Sequence, residues 1–354
     1  MFSYFFILII LFFFSIINIQ FISGKQVMYT LAFVYIFLLL LSGLRYNVGM
    51  DYGSYKDIYL NVSENTDLVN EPGFILIIKL LRFLHIPYEV FIFITASFIT
   101  SLAFKYIIKY SSLVFVSLLI FFSIGQFYFN TFNAIRQCMA IYSFLYSIYL
   151  IKEKNFTKYA LIIVFSAIFF HLTAILLLPL YYILDRYISP YVKLATIALI
   201  LFNLKLALFL IENSSYAIYL KFEDFATGIS FNTYLLLFIC SLFIFNEFRN
   251  KNQFGEYSNI ILNINLLALI SLASAMFFAG TPLIMVFNRI SYYFTPILIV
   301  SIPLAISNIE DITNRKVVLW TVTIFFLFIS IFSIIANGKS NYIVPYKTIF
   351  DSIL

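Results

Sequence analysis

Charged residues are scarce in this chain of 354 residues, of which only 11% are Asp, Glu, Lys or Arg. Soluble domains carry about 25% charged residues, so this scarcity excludes a water-soluble globular protein. Hydrophobic residues make up 63% of the chain, and the mean hydropathy is +1.00. The net charge of +6 does not indicate a nucleic-acid partner, because the basic residues lie in short segments between apolar runs, as in membrane proteins.

Metal and nucleotide motifs are also missing. The two cysteines, Cys138 and Cys240, lie inside apolar runs without CxxC or Cys/His spacing, which argues against a disulfide framework and a zinc site. Walker A, GxGxxG, HExxH and GxSxG motifs are absent, so nucleotide hydrolysis, dinucleotide chemistry, zinc proteolysis and elbow-type acyl transfer lack support. Asp-x-Asp is absent as well. A transferase of this sequence would take its donor from the membrane, and we expect neither a metal nor a cofactor.

Long apolar runs dominate the chain and predict an all-α polytopic membrane protein. Since a spanning helix needs roughly 20 apolar residues, we predict about 11–12 transmembrane helices. Short connections favour one bundle, a single integral membrane domain covering 1–354. The first run lacks the basic start and the cleavage pattern of a signal peptide and is interpreted as a retained helix. The predicted spans are approximately 4–22, 28–44, 89–108, 112–130, 135–151, 191–211, 230–247, 258–278, 289–307 and 317–336.

The loops differ in charge, which predicts the orientation of the chain. The segment 152–158 is the densest cationic loop, and the positive-inside rule places it in the cytoplasm. A large loop, 45–87, then lies on the periplasmic side. Within it, residues 73–84 are too short to span and place Lys79 and Arg82 among apolar residues, which predicts an interfacial amphipathic helix.

The stretch 158–185 allows two interpretations. A single span would contain His171, whereas a pair of short helices would turn at residues 170–173. Charge favours the pair, because the acidic loop 212–228 then lies outside, while Arg249 and Lys251 lie inside. Each short helix would be about 20 Å long, against a hydrocarbon core of about 30 Å.

Several polar or ionisable residues fall at the ends of apolar spans on one predicted membrane face. They are Arg45, Asp51, Arg136, Gln137, His171 and Arg289. An ionisable group at the edge of the hydrocarbon region is costly unless it is paired or hydrated, so such a cluster is a candidate site. Three arginines on one face predict an anion site, because a guanidinium group donates two parallel hydrogen bonds to phosphate.

Each of these residues also has a purely structural interpretation. An arginine that ends or begins a span, such as Arg45, Arg136 or Arg289, can be an interfacial anchor. His171 can be a buried neutral histidine bonded to a carbonyl group, and Asp51 can be a turn residue beside glycines. The residues alone leave both interpretations open.

Short motifs follow one another along the chain in an order that resembles one family. Segment 43–55, GLRYNVGMDYGSY, resembles the G-x-R-x-x-x-G-x-D-Y-x-x-Y pattern of EpsG-type proteins, which belong to the Wzy-like polysaccharide polymerases. The resemblance continues through EPGF at 71–74, NAIRQCMA at 133–140, FHLTA at 170–174, RISYYF at 289–294 and the tail 342–350. Thr173 stands where serine is commoner in that family and keeps the hydroxyl group.

The resemblance implies a glycosyltransferase of the bacterial inner membrane, with a GT-C-like architecture by analogy. Such an enzyme joins oligosaccharide repeat units carried on undecaprenyl pyrophosphate into O-antigen, capsular or exopolysaccharide at the periplasmic face. Its donor and acceptor are both lipid-linked, and membrane lipids surround it. A chain-length-regulating co-polymerase is a further expected partner.

The resemblance also implies roles for the candidate residues. Arg45, Arg136 and Arg289 would stabilise the departing pyrophosphate. Asp51 or His171 would accept the proton of the attacking hydroxyl group, and of the two we favour His171. Contacts to sugar hydroxyls or pyranose faces are assigned to Gln137, Tyr52, Tyr55 and Tyr292.

Two other functions would use the same donor. A flippase for the lipid-linked repeat unit would also bind pyrophosphate, but transporters commonly show internal repeats and ionisable residues near the membrane midplane, and this sequence shows neither pattern. An O-antigen ligase would differ only in its acceptor. The order of the motifs favours the polymerase.

Overall fold

The computed structural model is helical, and the part of the chain that it describes contains no β-strand. The described residues are 1–17, 24–62, 69, 71–203, 209, 212–213, 230–247, 255–336, 338 and 342–352. Most of the predicted acidic loop 212–228, together with Arg249 and Lys251, lies outside them. The same holds for most of the second half of the predicted span 191–211.

The helices are numbered here in chain order. They are α1 (Phe2–Ile16), α2 (Gly24–Gly43), α3 (Tyr52–Leu60), α4 (Pro72–Phe83), α5 (Tyr88–Tyr110), α6 (Val114–Ser123), α7 (Ile135–Ser147), α8 (Tyr149–Lys152), α9 (Phe156–Phe169), α10 (Pro190–Phe202), α11 (Phe231–Glu247), α12 (Ser258–Phe277), α13 (Leu283–Phe294), α14 (Leu298–Ser307) and α15 (Ile312–Ala336). Short 3₁₀ segments lie at Phe129–Phe132, Leu172–Tyr182, Gly255–Tyr257, Thr295–Ile297 and Ile349–Ser352.

The chain forms two compact units. The first comprises Met1–Tyr181 together with Ile302–Leu354, and the second comprises Tyr182–Ser301. In the first unit, α5 packs along α2 and α7, and α1 packs along α6 and α15. In the second unit, α12 packs against α11 and α13. The single membrane domain expected from the sequence stays a prediction.

Among the described residues, five helical stretches are long and apolar enough to cross a membrane. They are Gly24–Gly43, Tyr88–Tyr110, Gly255–Phe277, Leu283–Ser307 and Ile312–Ile335. Shorter apolar helices accompany them, including α1, α6, α9, α10 and α11. The prediction of an all-α polytopic membrane protein is therefore confirmed, whereas the number of crossings stays a prediction.

The predicted span 112–130 is longer than the helix that the structure contains. Helix α6 ends at Ser123, and the chain then turns so that the Tyr128 N–H donates to the Phe121 carbonyl oxygen at 3.1 Å. Phe129 and Phe132 of the following 3₁₀ segment are buried. High hydropathy in residues 124–132 indicates burial but does not require an α-helix, because aromatic side chains on a compact turn also bury large areas.

The predicted start of a span at Arg289 is wrong. Helix α13 begins at Leu283, and the helical stretch continues through Thr295–Ile297 to Ser307. Arg289 therefore lies inside a helix rather than at its first residue. The polar pair Asn288 and Arg289 lowers the local hydropathy, so the sequence does not reveal that the apolar residues 283–287 belong to the same helical stretch.

The stretch 158–185 contains a helix break at the position predicted for a turn. Helix α9 ends at Phe169, and the N–H groups of Phe170 and His171 both donate to the Ser166 carbonyl oxygen at 2.9 Å. The chain then continues as the 3₁₀ segment Leu172–Tyr182. His171 lies in the connection between these two short helices.

The outer ends of these two helices contact each other. The ring centroids of Phe156 and Tyr181 are 5.1 Å apart, and the Tyr159 hydroxyl donates to the Leu177 carbonyl oxygen at 2.7 Å. One continuous helix would separate Phe156 from Tyr181 by about 37 Å, at 1.5 Å per residue. The hairpin interpretation of this stretch is therefore confirmed, and the single span is excluded.

The predicted amphipathic helix 73–84 is present as α4. Phe74 and Ile78 are buried, whereas Leu80 and Phe83 are exposed. With 12 residues, α4 is about 18 Å long and does not reach across a hydrocarbon core of about 30 Å. Its location at the membrane interface stays a prediction.

The C-terminal segment folds back onto the loop that follows α2. The Tyr46 N–H donates to the Lys347 carbonyl oxygen at 2.9 Å. The Tyr346 hydroxyl donates to the Leu41 carbonyl oxygen at 3.0 Å, although these two residues are 305 positions apart. The tail therefore stabilises the loop that carries the first motif.

The hairpin makes a prediction about topology. We expect Lys154→Cys and Tyr182→Cys to be modified from the same side of the membrane, because the hairpin returns the chain to the end where it began. The measurement compares intact cells with inverted vesicles after treatment with a membrane-impermeant maleimide. The native cysteines, both buried, give the background reaction. Modification from opposite sides would contradict the hairpin.

Candidate functional site

The carboxylate of Glu71 connects the turn after α9 with the start of α7. Oε2 forms an ion pair with Nη1 of Arg136. Oε1 lies 3.0 Å from Nδ1 of His171 and accepts the Leu172 N–H, also at 3.0 Å. The Glu71 side chain is 2% exposed, against 21% for Arg136 and 15% for His171. The arginine and the histidine are therefore partly accessible, whereas the carboxylate is buried behind them.

The sequence that follows Glu71 explains how it reaches this position. Pro72 begins α4, because a proline at the first helical position loses no hydrogen bond and has a suitable φ. Gly73 packs against Phe169 at the end of α9, where an added Cβ would lie only 2.6 Å from the ring and 2.8 Å from the Phe169 Cα. The absence of a side chain at Gly73 thus allows α4 to approach α9 closely enough for Glu71 to bond His171.

The bonds to Glu71 keep its carboxylate ionised. Burial alone would raise the pKa of Glu71, but the His171 hydrogen bond, the Arg136 charge and the Leu172 N–H together lower it from 4.5 to about 2. A carboxylate whose pKa is lowered by folding stabilises the folded state at any pH above its unfolded pKa of 4.5. That contribution is lost as the pH falls toward 2. Glu71 is therefore an anion at any physiological pH and a weak proton acceptor.

The orientation of His171 follows from the charge of Glu71. An ionised carboxylate accepts hydrogen bonds and donates none, so Nδ1 of His171 carries a proton toward Oε1. In the neutral ring the lone pair then lies on Nε2. This is the arrangement in which a histidine, oriented by a carboxylate, can accept a proton from a bound hydroxyl group.

Arg136 lies in the first turn of α7 and is held from several directions. Its backbone N–H donates to the Tyr55 hydroxyl at 3.4 Å, and its guanidinium carbon lies 5.7 Å from the centre of the Phe74 ring. Tyr55 is buried on α3. The arginine is thus fixed by α3 and α4 while one edge stays accessible, which suits a group that must meet an anion without moving.

The loop that carries Asp51 packs on the turn before Arg136. The Met50 N–H donates to Oδ1 of Asn133 at 2.7 Å, and Gly49 has a φ of +103°, a conformation that glycine adopts at no steric cost. An added Cβ at Gly49 would lie 2.9 Å from the Phe132 carbonyl oxygen. Asp51 itself is exposed at the start of α3, so the first motif and the Arg136 motif form one continuous surface.

Arg45 has a different environment from Arg136. Its side chain is buried, with 2% exposure. Nη1 donates to the Ser42 carbonyl oxygen at 3.0 Å, and Nη2 donates to the Phe132 carbonyl oxygen at 3.1 Å. The guanidinium carbon lies 4.7 Å from the centre of the Phe132 ring. These contacts tie the end of α2 to the turn before Arg136 and make Arg45 a positioning residue in this arrangement.

The other predicted residues occupy three environments. Gln137 is buried beside Arg136 in α7. Tyr52 is also buried, with its ring centroid 5.2 Å from that of Tyr88. Arg289 and Tyr292 belong to the second unit, where Arg289 is exposed. Of the predicted residues, the structure brings Arg136, His171 and Tyr55 together.

Glu71 is the residue that sequence reasoning missed. It entered the prediction only as the first residue of the EPGF motif at 71–74. The available signal was its position. Glu71 directly precedes Pro72, which predicts the start of an apolar helix, and a residue at that point lies next to the surface that the helix buries. Among the described residues, no group of three His, Cys, Asp or Glu side chains is placed to hold a metal ion.

Helices long and apolar enough to cross a membrane, together with the cluster of Arg136, Glu71 and His171, define a multi-pass membrane protein that carries a polar side-chain cluster. The family model described as "EpsG family" matches residues 28–348. The chain therefore belongs to the EpsG family, whose members are associated with polysaccharide polymerisation in the membrane. Comparisons with curated proteins and with solved structures found no match.

Gly73 gives a first test of this geometry. We expect Gly73→Ala to move α4 away from α9 and to lower polymer synthesis by roughly 10²-fold, the effect of a displacement of about 1 Å at a catalytic group. The measurement is surface polysaccharide in a complemented deletion strain, normalised to the protein in the membrane. Gly53→Ala is the matched control, since nothing lies within 4 Å of its added Cβ. Equal polymer from both variants would contradict the close packing of Gly73.

Arg45 gives a second test. We expect Arg45→Lys to lower the melting temperature of the detergent-solubilised protein, because a lysine cannot bond both carbonyl groups, and an unsatisfied buried group costs about 1–3 kcal/mol. Arg82→Lys, at an exposed position of α4, is the control. If Arg45→Lys keeps the wild-type melting temperature but abolishes polymer, Arg45 binds substrate instead.

Proposed function

We propose that this protein is a polymerase that joins oligosaccharide repeat units carried on undecaprenyl pyrophosphate, by glycosyl transfer at the periplasmic face of the bacterial inner membrane. The observation that carries the proposal is the contact of one buried carboxylate, Glu71, with both Arg136 and His171. A cation for a leaving phosphate and an oriented proton acceptor are the two groups that such a transfer needs.

His171 is the proposed general base. The acceptor sugar's hydroxyl oxygen attacks the anomeric carbon of the donor and forms the new glycosidic bond, while its proton passes to Nε2 of His171. The bond between the anomeric carbon and the pyrophosphate oxygen breaks, and its electron pair leaves with the pyrophosphate. Glu71 stabilises the imidazolium ion that results, because the carboxylate stays negative throughout.

Arg136 is the proposed partner of the leaving group. A guanidinium group has five N–H donors, and Arg136 contacts Glu71 through Nη1. Its 21% exposure allows a phosphate to approach. Negative charge grows on the pyrophosphate as the bond breaks, and a fixed cation stabilises that charge more in the transition state than in the ground state.

The remaining candidates have supporting roles in this proposal. Asp51 is the alternative base, at the exposed start of α3. Arg289 belongs to the second unit, and its expected contact with a pyrophosphate stays a prediction. The sugar contacts expected for Gln137, Tyr52, Tyr55 and Tyr292 stay predictions, and burial of the first three side chains argues against stacking on a pyranose face. Arg45 is proposed to hold the turn before Arg136. A co-polymerase that regulates chain length is the proposed protein partner.

Variants of the three central residues test this function. We expect His171→Ala and Glu71→Gln each to lower the rate of polymerisation by about 10²–10⁴-fold, the usual contribution of a positioned base and its orienting group. Because Glu71 acts through His171, the double variant should be about as inactive as His171→Ala alone. Arg136→Lys should retain charge but lose the planar donor pair and most of the activity.

Polymer length is measured on a gel and normalised to the amount of the variant protein in the membrane. The rate of polymerisation is measured with the purified protein. Glu153→Gln, an exposed glutamate in the cationic loop, is the matched control. If the variants accumulate single repeat units on the outer face, the polymerase proposal is supported. Full-length polymer from the His171 and Arg136 variants would refute the site. Loss of outward single units, with an intact ligase, would indicate a flippase.

A further inference from the structure

An apolar groove lies beside the Glu71 site in the first unit. It has a volume of about 650 Å³ and lies between α5, α7 and α9. Its lining includes Phe98 and Leu102 of α5, Ser143 of α7, and Leu161 and Phe165 of α9. None of the side chains that line it is charged, so the groove suits a hydrocarbon rather than a sugar or a phosphate.

The inner end of the groove is next to His171. Phe169 and Phe170, which directly precede His171, both line the groove. The ring centroid of Phe170 lies 5.1 Å from that of Phe98, and both residues line the groove between α9 and α5. The Ser166 carbonyl oxygen, also at the groove, accepts the His171 N–H at 2.9 Å. The apolar groove thus reaches the residue that directly precedes His171.

The other end of the groove leads away from the site and opens sideways. Leu161 is 65% exposed and Phe165 is 48% exposed, so the α9 side of the groove faces the surroundings of the protein. From Phe169 to Leu161 the groove follows α9 for about 12 Å, at 1.5 Å per residue. A chain that enters from the bilayer can therefore lie along α9 and end at His171.

We infer that this groove holds the polyprenyl tail of a lipid-linked substrate, with its pyrophosphate at Arg136. This inference rests on the proposed function and specifies which part of the substrate lies where. The sequence of environments along the protein is apolar groove, then Phe98 and Phe170, then Arg136 and His171. The sequence of groups along such a lipid is the same, namely hydrocarbon, then pyrophosphate, then sugar.

An ordinary phospholipid is the competing occupant, and charge favours the polyprenyl lipid. The groove does not end in open headgroup space but at an ionised glutamate that holds one arginine and one histidine. Holding the tail costs little, because its hydrocarbon is already out of water. What the groove supplies is alignment, which directs the pyrophosphate and the anomeric carbon toward Arg136 and His171.

The test is photolabelling of the full-length protein in vesicles of phosphatidylethanolamine and phosphatidylglycerol. The probe is undecaprenyl pyrophosphate with a diazirine in its chain, and labelled peptides are mapped by mass spectrometry. We expect label in 161–169 and in the α5 segment around Phe98, with removal by excess unlabelled undecaprenyl pyrophosphate but not by added phosphatidylglycerol. Arg136→Ala should reduce the label in the groove, because the pyrophosphate then loses its contact.

Two matched variants probe the groove itself. Leu161→Trp should lower the groove label, and raise the KM for the lipid-linked repeat unit, by roughly fivefold or more, because it overpacks the groove. Leu176→Trp changes an equally exposed leucine, 62% against 65%, on the other arm of the hairpin, outside the groove lining. It should behave as the wild type.

The outcomes separate the groove from the function. Label spread evenly over lipid-facing helices, or competed equally by phosphatidylglycerol, overturns the inference even if the same vesicles make polymer. Specific groove label that depends on Arg136, without polymer from the lipid-linked repeat unit, supports the tail site. That second result would refute the polymerase proposal and leave a protein that binds the lipid for transport.

Discussion

The arrangement of this site depends on the hydrogen-bonded carboxylate of Glu71. A buried carboxylate is destabilising unless its oxygens are paired, and both Glu71 oxygens are paired with groups from distant parts of the chain, Arg136 and the His171–Leu172 turn. The start of α4, the start of α7 and the hairpin after α9 must therefore meet at one point. Each side chain keeps its geometry because the other two are present.

The same contact divides the chemical roles between neighbouring groups. Three donors stabilise the negative charge of Glu71, which makes it a poor base. That charge, in turn, places a proton on Nδ1 of His171 and the lone pair on Nε2. Family membership gives the context of polysaccharide polymerisation, and the groove beside Phe170 supplies an apolar approach to the polar groups. An apolar groove and a cluster of polar side chains thus lie side by side at the end of α9.

The sequence predicted the helical class, most helix positions and the hairpin, because apolar length and loop charge report directly on burial in a membrane. It also selected Arg136 and His171, since ionisable residues among apolar runs are conspicuous. Glu71 was missed because pairing between residues 65 and 100 positions apart has no local pattern. The start of α13 was missed because Arg289 lowers the mean hydropathy of the window that contains it. Arg45 could not be distinguished from Arg136, because its burial against two carbonyl groups depends on tertiary contacts.

The return of the C-terminal segment to the end of α2 has a consequence for biosynthesis. The loop after Gly43 is synthesised first, and its backbone partners at Tyr342 and Lys347 follow about 300 residues later. During insertion, the hydrogen bonds between the first motif and this segment can therefore form only after the helices between them have been synthesised. A nascent chain that stalls before Tyr342 would carry α1 to α15 and still lack the contacts that stabilise this loop, so the first motif is completed only after all of these helices have been synthesised.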